Sequence, residues 1–335
     1  MTPPIVPGLV STIIPVRNRT AMLQEAVGSV LGQTYRPIEV IIVDDGSSDD
    51  TPEVIRLLAS AHPEMRYVLN PHLGAGPARE TGRQLARGEF IQYLDSDDRL
   101  LPRKFEVQVC ALRERPECGA AYGQIRLCPS DAPPLERPFK WSDRQIPTLF
   151  PSLLVARWWN TDAPLFRRSV CDEVGPWSDL RYSQDWEYDA RVGALGTRLV
   201  YCPEFVCEQR LHASTKQTGH GQWLAPADRA RFFRSLLTCA RRAGVSPETQ
   251  EMRHFARRVF FHARESGRLG DGQAAQACFE IALDACGGRV PADMRLYRLA
   301  SVMLGWRGTG RLAAWLEAAP LLAGRRMRLR ESWMG

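Results

Sequence analysis

Ile38-Glu39-Val40-Ile41-Ile42-Val43-Asp44-Asp45-Gly46-Ser47-Ser48-Asp49-Asp50 opens with an almost unbroken β-branched run and closes in acids, glycine and serine. A strand covered on both faces of a parallel sheet carries such a run, because neither face alternates toward water. The polar end reads as a turn leaving the sheet. Thr51 then fits a helix cap, with Pro52 at the first helical position.

The same grammar repeats on either side. Residues 9–14 (LVSTII) form a buried-strand candidate closed by Pro15. Leu23, Ala26, Val27, Val30 and Leu31 follow at helical spacing. Residues 66–69 make a short third strand, residues 77–86 a helix entered through Gly74-Ala75-Gly76, and residues 89–94 a fourth strand. Alternating strands and helices predict an α/β fold with a mostly parallel sheet. Ligands of such sheets bind beyond the carboxyl ends of the strands. Pro15-Val16-Arg17-Asn18, Asp44-Asp45 and Asp95-Ser96-Asp97-Asp98 each follow a strand, so they belong on one edge.

Asp95, Asp97 and Asp98 put three carboxylates within four residues. Their mutual repulsion favours either a solvated acidic turn or a hard divalent cation, Mg²⁺ or Mn²⁺, which takes oxygen ligands and bridges to phosphates.

The chain has 335 residues, 44% of them hydrophobic, enough for two domains. Nine cysteines lie apart with no Cys-Xaa-Xaa-Cys pair, which points to a reducing cytoplasm and away from a zinc cluster. Residues 1–8 lack the basic flank and apolar run of a signal peptide, and no apolar stretch is long enough to span a membrane. Residues 1–220 carry 25 Lys+Arg against 28 Asp+Glu, whereas residues 221–335 carry 19 against 10. The basic end suits an anionic partner.

Residues 128–151 are rich in proline and polar groups and read as loop, and residues 199–202 as another short strand. Helices are expected over 230–243, 248–265, 272–286, 292–305 and 311–322, the second and third pairing as a hairpin. Residues 296–335 mix leucine and tryptophan with arginine, the composition of an interfacial helix; docking on the protein's own core explains the apolar half equally well.

Taken in order, Ser11-Thr12-Ile13-Ile14-Pro15-Val16-Arg17-Asn18-Arg19, Gln33-Thr34-Tyr35, Val43-Asp44-Asp45-Gly46-Ser47-Ser48-Asp49, Ala78-Arg79, Gly88-Glu89-Phe90-Ile91 and Leu94-Asp95-Ser96-Asp97-Asp98 resemble the nucleotide-sugar-binding half of a family 2 glycosyltransferase. The likeness is close over 9–103 and looser to about 218. It implies a GT-A fold: a Rossmann-like, mostly parallel sheet flanked by helices, here with an α-helical C-terminal region. The domains would be 1–220, divided into a donor half (9–103) and an acceptor half (104–220), and a basic helical region over 221–335.

The resemblance also implies roles. Pro15, Arg17 and Asp45 would surround base and ribose, with Asp44 beside them, and Arg79 would lie near the pyrophosphate or base. Glu80 departs from the asparagine common among relatives. In Asp95-Ser96-Asp97, Asp97 would hold the metal and Asp95 the ribose or metal shell, with Asp98 orienting the sugar or a metal-bound water. Asp185 would be the general base that inverting transfer requires; Gln184 replaces the acidic residue usual before it, and Glu187 and Asp189 are rivals. His212, in Arg210-Leu211-His212, would complete the metal site. Asn160-Thr161, Phe166-Arg167-Arg168 and Gly175-Pro176-Trp177 resemble the acceptor side, where Trp158, Trp159, Trp177 and Trp186 fit either sugar faces or core.

The expected activity is metal-dependent inverting transfer from a UDP-sugar to a glycan or lipid-linked acceptor in bacterial surface-glycan synthesis. Peripheral contact with an anionic membrane is a further expectation, and nucleic acid is not an expected partner. The competing readings are a nucleotidyltransferase, whose glycine- and lysine-rich phosphate loop residues 11–19 lack, and a non-catalytic sugar-nucleotide-binding protein.

Overall fold

The structure is a computed structural model and describes residues 3–130, 132–211 and 226–318. The chain divides into two compact units, Met1–Leu149 with Trp158–Gln222, and Phe150–Arg157 with Trp223–Gly335.

The first unit is built on β1 (Val6–Val16), β2 (Ile38–Asp44), β3 (Met65–Leu69) and β4 (Gly88–Tyr93). These strands run parallel in the order β3-β2-β1-β4. Helices α1 (Thr20–Leu31), α2 (Thr51–Ala61) and α3 (Ala75–Leu85) connect them. All seven residues of β2 are buried, as its unbroken apolar run requires.

Pro15 does not end β1, which continues to Val16 and pairs with β2 as far as Asp44. Ile13 accepts from the Leu94 N–H, so Pro15, two residues on, turns its nitrogen to the side where β4 has already ended. The proline therefore costs the ladder no hydrogen bond. Thr51 is the first helical residue of α2 rather than its cap; Asp50 holds the cap position, and Thr51 Oγ1 accepts from the Arg19 N–H.

Beyond β4 the sheet becomes mixed. It adds β5 (Arg99–Leu100), β6 (Cys118–Pro129), β7 (Leu165–Arg167) and β8 (Arg198–Leu211) in the overall order β3-β2-β1-β4-β7-β6-β8-β5. β7 is antiparallel to both neighbours, whereas β6 and β8 run parallel along most of their length. α4 (Lys104–Glu114), α5 (Arg168–Val174) and α6 (Gln184–Ala194) cover this half. Two strands exceed their sequence signal. β8 extends well past residues 199–202, and β6 runs into the stretch read as loop, because each supplies the other's backbone partners.

Glu39 is the one acid on β2 short of its carboxyl end, and it is buried. Its carboxylate accepts from Ser11 Oγ (2.5 Å), the Arg87 N–H (2.7 Å) and Arg66 (2.8 Å). Burial alone would raise its pKa, but these donors outweigh it and hold the group below its ordinary 4.5.

The described residues of the second unit are helical: α7 (Pro226–Arg242), α8 (Gln250–Leu269), α9 (Gly272–Ala285) and α10 (Ala292–Ala318), with a 3-10 turn at Ser152–Leu154. Thr249 caps α8 through the Met252 N–H. Gly270 closes α8 in the left-handed conformation, and Asp271 caps α9 through the Ala274 N–H, so the two form the expected hairpin. Phe233, Phe255, Phe260, Phe279 and Tyr297 fill the core. α10 breaks at Gly305 (φ 66°), where one expected helix ends.

Glu39→Ala is expected to cost about 1–3 kcal/mol in urea unfolding, because buried donors lose their acceptor. A depressed folded-state pKa means that Glu39 contributes its stability in full above its unfolded value near 4.5 and loses it as pH falls through the lower folded value. The difference between parent and variant should therefore shrink on acidification below pH 4.5.

Candidate active site

The carboxyl ends of β1, β2 and β4 bring the sequence-selected residues to one edge of the first unit. Pro15 is buried at the end of β1, and Arg17 just beyond it is exposed. Asp44 closes β2, and its Oδ1 accepts from the Ser47 N–H at 2.9 Å. Asp45 accepts from the N–H groups of Leu73 (2.7 Å) and Gly74 (2.8 Å), which fastens the loop ahead of α3. His72 in this loop lies 3.5 Å from Asp45 through Nδ1 and 3.0 Å from Arg17 Nη1 through Nε2. With the proton on Nδ1 the ring accepts from Arg17 and donates to Asp45, so the three side chains form one chain.

Because Asp45 sets the start of α3, it also sets Arg79 on that helix. Arg79 is only 3% exposed. Its Nη2 donates to Asp95 Oδ1 at 2.5 Å, and its guanidinium lies 4.9 Å from the centre of the Trp177 ring. Its Nε and Nη1 are buried with no protein partner. Buried guanidinium N–H groups are costly to leave unpaired.

The acidic loop after β4 sits beside Arg79. Carboxylate oxygens of Asp95, Asp97 and Asp98 all lie within 4.8 Å of one another, and Ser96 between them is buried. Arg19 pairs with Asp97 Oδ2, as Arg79 does with Asp95. Arg210, near the end of β8, donates its backbone N–H to Asp98 (2.8 Å) and its Nε to the Asp97 carbonyl (2.5 Å). His212 lies outside the described residues. The donor set is all oxygen and strongly acidic, which fits a hard divalent cation and not a thiophilic one.

Asp162 is the residue that sequence reasoning missed. It is wholly buried, its Oδ1 accepts from the Asp95 N–H (2.7 Å), and its Oδ2 accepts from Asn160 (2.7 Å). It also hydrogen-bonds Asp98. Burial, then the charges of Asp97 and Asp95, raises the Asp98 pKa to about 7; burial and Asp98 push Asp162 up as well. Two buried carboxyl groups in contact are stable when they share a proton. The only sequence signal was Asn160-Thr161-Asp162, a polar triplet flanked by Trp159 and Ala163.

On the other side of Arg79, Trp177 stacks its ring on Tyr188 at 4.1 Å and donates its backbone N–H to Glu80 at 3.4 Å. Burial would raise the Glu80 pKa, but hydrogen bonds from Arg83, Gln84 and Trp177 hold it below its ordinary value. The glutamate that departs from the family's usual asparagine is thus a brace between α3 and the segment before α6. Gly76 completes that brace: a Cβ there would lie 2.1 Å from the Ser178 carbonyl and 3.6 Å from Gln184 Cγ. Asp185 follows in the first turn of α6, half-buried, its Oδ1 accepting from the Trp186 N–H. Of its rivals, Glu187 is buried and held twice by Arg191, and Asp189 is buried. Trp158, Trp159 and Trp177 are buried, so of the four tryptophans Trp186 alone has appreciable exposure.

Residues 11–173 match the family model for Glycosyl transferase family 2. Over 93 residues the chain is 39% identical to a GalNAc(5)-diNAcBac-PP-undecaprenol beta-1,3-glucosyltransferase of Campylobacter jejuni, covering 27% of this chain and 30% of that protein. Over 133 residues it is 33% identical to chondroitin synthase of Escherichia coli, covering 40% of this chain and 19% of that one. The matched part thus spans under a third of either relative. Among solved structures, S. aureus TarS 1–349 in complex with UDP-GlcNAc is similar with a TM-score of 0.70 at 15% identity, covering 91% of each chain. That likeness shows a shared fold.

Asp162→Ala removes the acceptor of the Asp95 N–H and of Asn160, and is expected to destabilise the protein by about 1–3 kcal/mol in chemical unfolding. An unchanged midpoint would show that Asp95 does not depend on it.

Proposed function

From the premise that residues 11–173 are a glycosyl transferase family 2 domain, we propose that the protein is a metal-dependent, inverting transferase. It moves a sugar from a nucleoside diphosphate donor to a hydroxyl of a glycan or lipid-linked acceptor. The observation that carries this reading is Arg79: a buried guanidinium fixed on Asp95, with two unpaired nitrogens beside three convergent carboxylates. An anion slot next to a cation slot suits a diphosphate and its divalent ion.

Asp97 and Asp95 would hold Mg²⁺ or Mn²⁺, with His212 as a further ligand. What supports the last is that Arg210, two residues earlier, is anchored on Asp97 and Asp98. When bound, the ion would neutralise charge on the departing diphosphate. Arg79 would share that task through Nε and Nη1. Asp44, Asp45, Pro15 and Arg17 would frame the base and ribose, with Ser96 lining the donor pocket. Arg19 balances Asp97 as long as no ion does.

Asp185 would take the proton of the acceptor hydroxyl. The oxygen then bonds to the anomeric carbon as the carbon–diphosphate bond breaks, which inverts the centre. Its partial exposure favours this role over buried Glu187 and Asp189. The brace of Gly76, Glu80 and Trp177 ties the start of α6 to the helix that carries Arg79, and so favours a fixed spacing between base and donor.

A panel of UDP- and GDP-sugars with and without Mn²⁺, read by thermal shift, tests donor and metal together. Stabilisation by one donor only when the ion is present is expected; a shift by none of them counts against the reading. Asp97→Ala and Asp185→Ala should each lower transfer by at least about a hundredfold, with unchanged melting and, for Asp185→Ala, unchanged donor binding. Retained turnover in either variant would remove its assigned role. Donor binding without hydrolysis or transfer in the parent protein would favour a non-catalytic sugar-nucleotide-binding protein.

Arg19→Ala is expected to tighten Mn²⁺ binding several-fold by calorimetry, because the ion then displaces no competing cation. Weaker binding would mean that Arg19 supports the ion site instead.

A further inference from the structure

Helix α10 has two apolar faces, and its own unit covers one of them. Met294 and Tyr297 turn inward before the break at Gly305, and Thr309 and Gly310 after it. The packing on α8 is close: a Cβ at Gly310 would lie 2.4 Å from the Arg268 nitrogen, and one at Gly267 would lie 2.6 Å from the Trp306 carbonyl. The inward face is therefore fully engaged.

At about 100° per residue, Leu296, Leu299 and Met303 form a stripe opposite Met294 and Tyr297. Leu299 is 65% exposed, and Met303, beside Val302, is 84% exposed. After Gly305 Trp315 is exposed opposite Thr309 and Gly310, whereas Leu312 and Leu316 are exposed nearer the side of Thr309. Arg295, Arg298, Arg307 and Arg311 are exposed along α10, and its two acids stand at its ends: Asp293, which pairs with Arg257, and Glu317.

We propose that the outward face before Gly305 docks on an anionic lipid bilayer, lying in the interface with Leu296, Leu299 and Met303 among the acyl chains and Arg295 and Arg298 at the phosphates. Large apolar residues bordered by Arg295 and Arg298, with Asp293 already paired with Arg257, match such a surface in both terms. A second copy fits poorly, because two-fold pairing of this face would set arginine against arginine, and Asp293, the acid beside it, is engaged by Arg257. Among the described residues no helix is long and apolar enough to cross a membrane, so α10 would lie on the bilayer and not span it. The inference holds whether or not the first unit transfers a sugar.

Cosedimentation of the full chain with vesicles tests it, using phosphatidylglycerol–phosphatidylcholine and pure phosphatidylcholine. The parent should bind the anionic vesicles, and more weakly at high salt. Leu299→Glu with Met303→Glu should lower partitioning by at least about tenfold, and each of Arg295→Glu and Arg298→Glu by about fivefold or more. All four side chains are exposed, so melting should not change. Failure of the parent to bind anionic vesicles would overturn the proposal. So would unchanged binding in the variants, which would assign the lipid contact to another surface such as residues 319–335. A parent dimer that Leu299→Glu with Met303→Glu dissociates, without vesicle binding, would make the face a protein interface instead.

Discussion

Asp95, Asp97 and Asp98 crowd three carboxylates onto one loop, and buried Asp162 adds a fourth from across the fold. Their repulsion is the constraint that the first unit is arranged to meet. Arg19 answers it from β1's end, Arg79 from α3, and Arg210 from β8. Asp162 answers by accepting from the Asp95 N–H and hydrogen-bonding Asp98. Burying these acids without such partners would cost far more than any one hydrogen bond returns. The acidic edge is thus held in shape by residues from four separate parts of the chain.

Helix α3 transmits that arrangement. Asp45 fixes its entry loop, Arg79 reaches the acids from its middle, and Gly76 and Glu80 receive the segment that leads to Asp185. One helix therefore relates Asp45, Arg79 and the candidate general base. Glu80 shows how a departure from a family pattern can be structural: its carboxylate serves Arg83, Gln84 and Trp177 together. The second unit shows a different economy. Glycine at positions 267 and 310 lets α8 and α10 approach closely enough that one face of α10 suffices for packing, which leaves its opposite apolar face outside the core.

By itself the sequence determined the four parallel strands, the helices between them and the acidic turns at their ends. Those follow from side-chain periodicity and from residue types that act within a few positions. It also marked Asp95, Asp97 and Arg79 through motif order, and the break near Gly305 through composition. Only the tertiary structure decided the extents of β6 and β8, since each is a strand along its full length only when the other lies beside it. Only it showed that Trp158, Trp159 and Trp177 are core, that Asp50 and not Thr51 stands at the cap position of α2, and that Asp162 supports Asp95 from 67 residues away. Contacts across that distance depend on how strands are ordered in the sheet, and strand order leaves no trace in local pattern.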